Sequence, residues 1–342
     1  MDRLRLIQLL FDESAARYER DIVPVLAPLT ADLIAYAAPQ PTDRALDVGT
    51  GTGLVARLLA PYARQVIGLD ISAGALHTAR HIPTAHNVHY LRADIHDLPL
   101  AAARVTLAVA SFGLNATDPA RSLRALRHVI APGGRLVIQE WGPAAPVDLA
   151  LDEALADHAL DEPGERVERL RAGIAAHPAR WQDQLQDVDD YTDWLEDSGF
   201  AIEAAAETAP VTIRLPAPEV YLRFKLAWTD RFEEVQAMDV CTRADFYTAA
   251  RSLLARYAGP DGAFVWQPVV FRVTARRRWD RSPDSRDATY TELTTHNALY
   301  TSLDLPGFAR HVLGLRASGL HRRGGGATPS SIGGASGILI AA

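Results

Sequence analysis

Three glycines within five positions, Gly49, Gly51 and Gly53, follow an apolar run in the segment ALDVGTGTGLVA at residues 45–56, and this segment constrains the fold most tightly. A chain without Cβ atoms turns sharply and lets a ligand approach its backbone closely. Ala45, Leu46, Asp47 and Val48 read as the end of a buried strand, and Leu54, Val55, Leu58 and Leu59 have the spacing of an apolar helix face. A strand, a tight turn and a helix N-terminus in succession point free N–H groups and the positive end of a helix dipole at whatever lies above the turn.

Two ligand classes use such a turn: nicotinamide or flavin dinucleotides, and S-adenosylmethionine. Gly51, Gly53 and Ala56 satisfy the dinucleotide pattern GxGxxA, a short and weak signal. Asp47, at the strand end, separates the two classes. A carboxylate there opposes a pyrophosphate, whereas it suits a ligand whose near end carries an ammonium group. A second strand, Val66 to Leu69, ends in Asp70, about 20 residues beyond the glycines, where an acidic residue accepts hydrogen bonds from ribose hydroxyls. Further strands follow at about Val88 to Arg92, in RVTLAVASFGLN, and in GGRLVIQEWG after the turn residues Ala131 to Gly134.

The ordered segments LDVGTGTG, GLDIS, RADIHDLP, SFGLNATD and LRHVIAPGGRLVIQEW make residues 11–142 resemble the class I S-adenosylmethionine-dependent methyltransferases, especially the ubiquinone and menaquinone biosynthesis branch. The resemblance implies an α/β Rossmann-like seven-stranded sheet with N-terminal lid helices, a helical insertion on the substrate side and a C-terminal extension. It implies S-adenosyl-L-methionine as cofactor. Asp47, Gly49, Gly51 and Gly53 would then hold its methionine end and Asp70 its ribose, Asp94 and Ile95 would border the adenine, and Ile71 would be a further cofactor contact. Ala110, Ser111 and Phe112 would line the path to the acceptor, and Tyr18, in FDESAARYERDI, would close over the methionine portion. The branch carries an arginine and an asparagine after FGL, whereas here Leu114 is followed by Asn115, Ala116, Thr117 and Asp118.

A chain of 342 residues is long for one domain, and its 48% hydrophobic residues suffice for a sizeable core. We divide it into N-terminal lid helices (1–40), a cofactor-binding core (41–142), completion of the sheet with capping insertions (143–280) and a C-terminal extension (281–342). Residues 147–176 read as two amphipathic helices, VDDYTDWLEDSGF as a helix ending at Gly199, and GAFVWQPVVFRVTARR as one late strand. In this fold the last two strands form a hairpin at one sheet edge. The tail beyond Ser282, with HRRGGGATPSSIGGASG, is low in complexity.

The net charge of −7 argues against a nucleic-acid substrate, which calls for a basic surface. A single cysteine, Cys241, excludes an intrachain disulfide and agrees with a cytoplasmic location. No run is apolar enough to span a bilayer, and no signal peptide is evident. His77 and His81 share a helix face without a third ligand, so no metal site is expected.

A sulfonium methyl is already activated, so the enzyme needs no nucleophile of its own; orientation and exclusion of water suffice, with a base where the acceptor is a phenol or enol. Candidates at the carboxyl ends of the strands are Glu140, Asn115 and His96. The expected acceptor is a small, fairly apolar molecule, a secondary metabolite or a quinone-like compound, capped by Tyr221, Phe224, Trp228, Phe232 and Phe246. Two alternatives are a dinucleotide-dependent oxidoreductase and a methyltransferase-like binding protein without turnover.

Overall fold

Val105, Leu107, Ala108, Val109 and Ala110 are nearly continuous apolar residues, each at most 2% exposed, as befits a strand covered on both faces. They belong to β4 (Val105–Ser111), at the centre of a seven-stranded sheet in this computed structural model, which describes residues 1–176, 187–207, 211–279 and 338–339. β1 (Arg44–Val48), β2 (Gln65–Asp70), β3 (Val88–Arg92), β4 and β5 (Ile130–Trp141) run parallel in the order β3-β2-β1-β4-β5. The strand order reverses between β1 and β4, and a crevice opens at the carboxyl ends there.

The sheet is completed by β6 (Phe200–Glu207) and β9 (Val270–Arg277), with β9 antiparallel to both β5 and β6. The expected antiparallel pair is present at one sheet edge, with β6 outermost and residues 208–269 between the two strands in place of a short turn. The late segment is also two strands and not one. β8 (Phe264–Trp266) pairs with β7 (Ile213–Leu215) in a separate small sheet, and the chain breaks at Pro268 before β9 begins. Proline has no N–H to continue a ladder. Ile338–Leu339 pairs in parallel with β7; the rest of the predicted 281–342 extension lies outside the described residues.

The helices are α1 (Arg3–Ile7), α2 (Ala15–Arg17), α3 (Val23–Ala37), α4 (Leu54–Leu59), α5 (Ala73–His81), α6 (Pro119–Val129), α7 (Pro146–His158), α8 (Glu165–Ala175), α9 (Val188–Asp197), α10 (Pro218–Leu226), α11 (Thr229–Ala237) and α12 (Val240–Ala255). Two wide π-helical turns, Gln8–Asp12 and Tyr18–Ile22, interrupt the N-terminal segment, a distortion often found at functional sites. α9 ends as expected in front of Gly199, whose φ is 84°. Its Tyr191 and Leu195 pack with Phe200 of β6 and with α6 in the core on the sheet. A second apolar cluster joins α3, α7, α10, α12 and the small sheet around Tyr221, Phe224, Phe246 and Trp266. Burying each such side chain contributes about 1.5–3 kcal/mol, so the inserted segment and α3 share a second core.

Candidate functional site

The glycine turn is built from three different constraints. Gly49 (φ 70°) lies so close to the loop after β4 that a Cβ would stand 2.6 Å from the Gly113 Cα. A Cβ on Gly53 would meet the Tyr90 Oη at 2.3 Å. Around Gly51 nothing lies within 4 Å of where a Cβ would be, and this residue faces a cavity. Below the turn, Asp47 is fully buried; its Oδ2 accepts a 2.5 Å hydrogen bond from the Thr50 hydroxyl, while its Oδ1 is without a hydrogen-bond partner. Burial pushes its carboxyl up to about 7, against the pull of the Thr50 hydroxyl and the Ala56 amide.

Asp70 ends β2 with both carboxylate oxygens engaged by backbone: Oδ2 accepts from the Gly51 amide and Oδ1 from the Ser72 amide, each at 2.8 Å. The carboxylate thereby clamps the glycine turn to the start of α5, and burial raises its pKa despite these donors. Asp94, beyond β3, accepts from the His96 amide at 3.0 Å and is paired with Arg3. Burial alone would raise Asp94, but the His96 amide and the Arg3 guanidinium outweigh it and hold the carboxyl below its ordinary value.

The N-terminal segment is stitched over these loops. Arg3 reaches Asp94; Asp12 accepts from the Ser72 hydroxyl at 2.5 Å and the Gly74 amide at 3.1 Å; Glu19 accepts from the Thr52 hydroxyl and pairs with Arg57 at 3.1 Å. Arg17 ties the same segment to the inserted helices by donating to the Ala227 carbonyl at 2.8 Å. Tyr18, between these stitches, stands edge-on to Trp228 with ring centroids 5.8 Å apart, and its hydroxyl pKa is raised by burial and by the nearby Asp70.

Glu140, at the end of β5, is 2% exposed and accepts from the Leu114 amide at 3.1 Å, so it fixes the loop after β4 from behind. Burial pushes its carboxyl up to about 8, with the Leu114 and Asn115 amides pulling the other way. His96 Nε2 accepts from the Asp118 amide at 3.0 Å, and Nδ1 lies 3.2 Å from Asp94 Oδ1. Burial, then Arg3, keep the imidazole pKa low, so the ring is a neutral brace for the 115–118 loop. Phe112, at the head of that loop, has φ 58° and stacks on Trp141 at 4.0 Å between centroids. A bulky residue in the left-handed region is strained, and such strain clusters at functional sites.

A cavity of about 860 Å³ joins these parts, and its walls include Tyr18, Gly49, Gly51, Asp70, Ile71, Asp94, Ile95, His96, Ser111 and Asn115. Asp47, Gly53 and Glu140 are not among its lining residues. Phe112, Trp141, Phe224, Trp228 and Trp266 also line it and form an aromatic wall. Of the other aromatics expected to cap an acceptor, Tyr221 and Phe246 are core residues, and Phe232 packs under the Arg17 guanidinium at 3.7 Å. Sequence reasoning missed Arg3, Asp12, Glu19, Asp148 and Lys225. The only signal for any of them was the FDESAARYERDI segment itself, which holds Asp12 and Glu19.

The two raised carboxyls give a pH test. Glu140 and Asp47 bind protons more tightly folded than unfolded, so their stabilisation is full below the ordinary carboxyl values of 4.5 and 3.8 and is lost as pH rises through about 8 and about 7. Glu140→Gln keeps an acceptor for the Leu114 amide and cannot ionise. Its thermal stability relative to wild type is expected to climb between pH 5 and 8, by at most about 1.4 kcal/mol per pH unit. A pH-independent difference in melting temperature would contradict this.

Residues 46–138 match the family model described as a methyltransferase domain. The demethylmenaquinone methyltransferase of Clavibacter sepedonicus is 30% identical over 212 residues, covering 57% of this chain and 82% of that protein. The corresponding protein of Corynebacterium kroppenstedtii is 37% identical over 111 residues, covering 32% of this chain but only 47%, about half, of its own length. Among solved structures, a Haemonchus contortus N-methyltransferase 2, in complex with phosphomonomethylethanolamine and S-adenosylhomocysteine, shares the fold with a TM-score of 0.50 and 14% identity, covering 82% of this chain and 61% of that one. Among the described residues, no helix is long and apolar enough to cross a membrane.

Proposed function

Because the chain belongs to the class I S-adenosylmethionine-dependent methyltransferases, among relatives of the demethylmenaquinone methyltransferases, we propose that it methylates a small, fairly apolar, quinone-like acceptor. The observation that carries this reading is one cavity lined both by an open glycine turn with the Asp70 carboxylate and by an aromatic wall.

The residues fit S-adenosylmethionine. Gly51 leaves open space where any side chain would intrude, and Asp70 retains acceptor capacity beyond its two backbone donors. When bound, this donor supplies a methyl group whose bond to sulfur breaks, the electron pair staying on sulfur, as a lone pair of the acceptor forms the new bond. In our reading Asp70 and Ile71 hold the ribose, and Asp94 and Ile95 border the adenine. Gly49 and Gly51, with Ser111, seat the methionine end beneath Tyr18. Asp47 acts from below the turn, through Thr50, and Gly53 serves packing against Tyr90. Residues 1–40 form the lid, 41–142 the cofactor half and 143–280 the rest of the sheet and the acceptor cap.

Glu140 and His96 are already committed to bracing the loop after β4, which leaves positioning, and not proton transfer, as their task. The chain's main contribution is then orientation in a water-poor chamber closed by the N-terminal segment. Calorimetric titration with S-adenosylmethionine, S-adenosylhomocysteine and NADH, on protein checked for copurified ligand, tests the reading. The two adenosyl compounds are expected to bind and NADH not; binding of NADH alone would overturn it. Binding without methyl transfer to any of a panel of phenols and hydroquinones would favour a binding protein.

A further inference from the structure

The cavity wall contains one cluster to which the methyl-transfer reading gives no task. Asp148 of α7 is buried and accepts four hydrogen bonds: from the Tyr221 hydroxyl, from Lys225 Nζ at 2.9 Å, from the Trp266 indole at 3.2 Å and from the Ala145 amide at 3.1 Å. A carboxylate offers about four lone-pair sites, so Asp148 is saturated. It is neither a base nor a seat for a ligand donor; it is an anchor. Its carboxyl is held low, because the Lys225 charge and the hydrogen bonds from Tyr221, Lys225 and Trp266 outweigh the burial that would raise it.

What it anchors is Lys225, whose side chain is 11% exposed and lines the cavity. An ammonium group has three donors, and among the described residues Asp148 is the one hydrogen-bond partner of this one. The other cations along the wall are engaged or solvated. Arg3 is paired with Asp94, Arg231 grips Asp152 through two contacts at 2.9 Å, and Arg121 is exposed. Lys225 is therefore a fixed donor in an aromatic chamber. Asp148 balances its charge as Asp152 balances that of Arg231, so the donor comes without a net positive field. A paired cation of this kind satisfies an uncharged oxygen, whereas a full anion would add negative charge beside Asp148 and Asp152.

We infer that Lys225 is a specificity residue that receives an uncharged oxygen conjugated to the planar ring of the acceptor, while Trp141, Trp266 and Phe224 pack against the ring. The inference rests on the methyl-transfer reading for the location of the acceptor and adds its polar handle. An acceptor lacking such an oxygen leaves two buried donors unpaired, and unpaired buried donors discriminate more strongly than missing apolar contact.

The test uses near-isosteric probes on protein loaded with S-adenosylhomocysteine, with affinity read by equilibrium dialysis: 2-acetylnaphthalene, 2-ethylnaphthalene and 2-naphthoate. The ketone is expected to bind about tenfold tighter than the ethyl compound, the margin of one hydrogen bond to a charged donor. Lys225→Met is expected to bring that ratio near one, and Lys225→Arg to retain most of it. Where the methionine variant fails to fold because Asp148 loses a partner, the wild-type ratio and the arginine variant still decide. Equal affinity for ketone and ethyl compound in the wild type, binding of neither, or tighter binding of the naphthoate overturns the inference. Failure of S-adenosylhomocysteine itself to bind is a separate result, against the methyl-transfer reading.

Discussion

Asp70→Ala is expected to weaken binding of S-adenosylhomocysteine about 100-fold while the fold survives. The two carboxylate oxygens accept from the Gly51 and Ser72 amides, with the Ile71 amide also acting on the group, and they keep acceptor capacity for vicinal hydroxyls. Hydrogen bonds to a charged partner contribute about 1.5–3 kcal/mol each, so losing two costs about 3 kcal/mol or more. The fold tolerates the change because Asp70 and Gly51 both line the cavity, where water replaces the lost partner of the Gly51 amide. Relief from holding a buried carboxylate offsets part of what remains. Calorimetry gives the affinity and thermal unfolding followed by circular dichroism gives the stability. Affinity unchanged in a folded variant would remove Asp70 from the ribose site.

The second large effect separates two glycines that look equivalent in the sequence. Gly49→Ala drives a Cβ to 2.6 Å from the Gly113 Cα and 2.8 Å from its carbonyl oxygen, backbone atoms that cannot swing away. With the left-handed φ, the expected loss is about 3 kcal/mol of folding stability. Gly51→Ala meets nothing within 4 Å, so only the left-handed conformation counts against it, about 1 kcal/mol. Its methyl group stands in the cavity, however, and is expected to reduce S-adenosylhomocysteine binding by more than tenfold. A stability loss at Gly51 as large as at Gly49, with binding intact, would mean that the turn is a packing device and not a cradle.

Those glycines show how far the sequence could be read. Their spacing after an apolar strand announced the turn, and the five segments read as strands between Ala45 and Trp141 are β1 to β5, with β1 and β4, covered on both faces, carrying strong apolar runs. The same signal misled at GAFVWQPVVF, where Pro268 splits the run and sends its halves to different sheets. Asp70 and Asp94 were legible because they sit at fixed places at strand ends. Lys225 and Asp148 lie 77 residues apart and Arg3 and Asp94 lie 91 apart, so no local pattern links them. His96 and Glu140 looked like chemistry because they are polar groups at strand ends. In the folded chain backbone amides of the 114–118 loop already occupy them.

The placing of β9 between β5 and β6 also fixes a sequence of events during synthesis. Until Val270–Arg277 has left the ribosome, β5 is the provisional rim of the sheet and β6 has no strand to pair with. Everything from Ile213 to Trp266, the chamber wall with its own apolar cluster, emerges before the sheet can close. A nascent chain halted before Val270 therefore lacks two ladders, not one, and presents an unpaired apolar β5 rim of the kind that invites aggregation. The aromatic wall of the cavity is thus translated in full before the strand that joins β6 to the sheet.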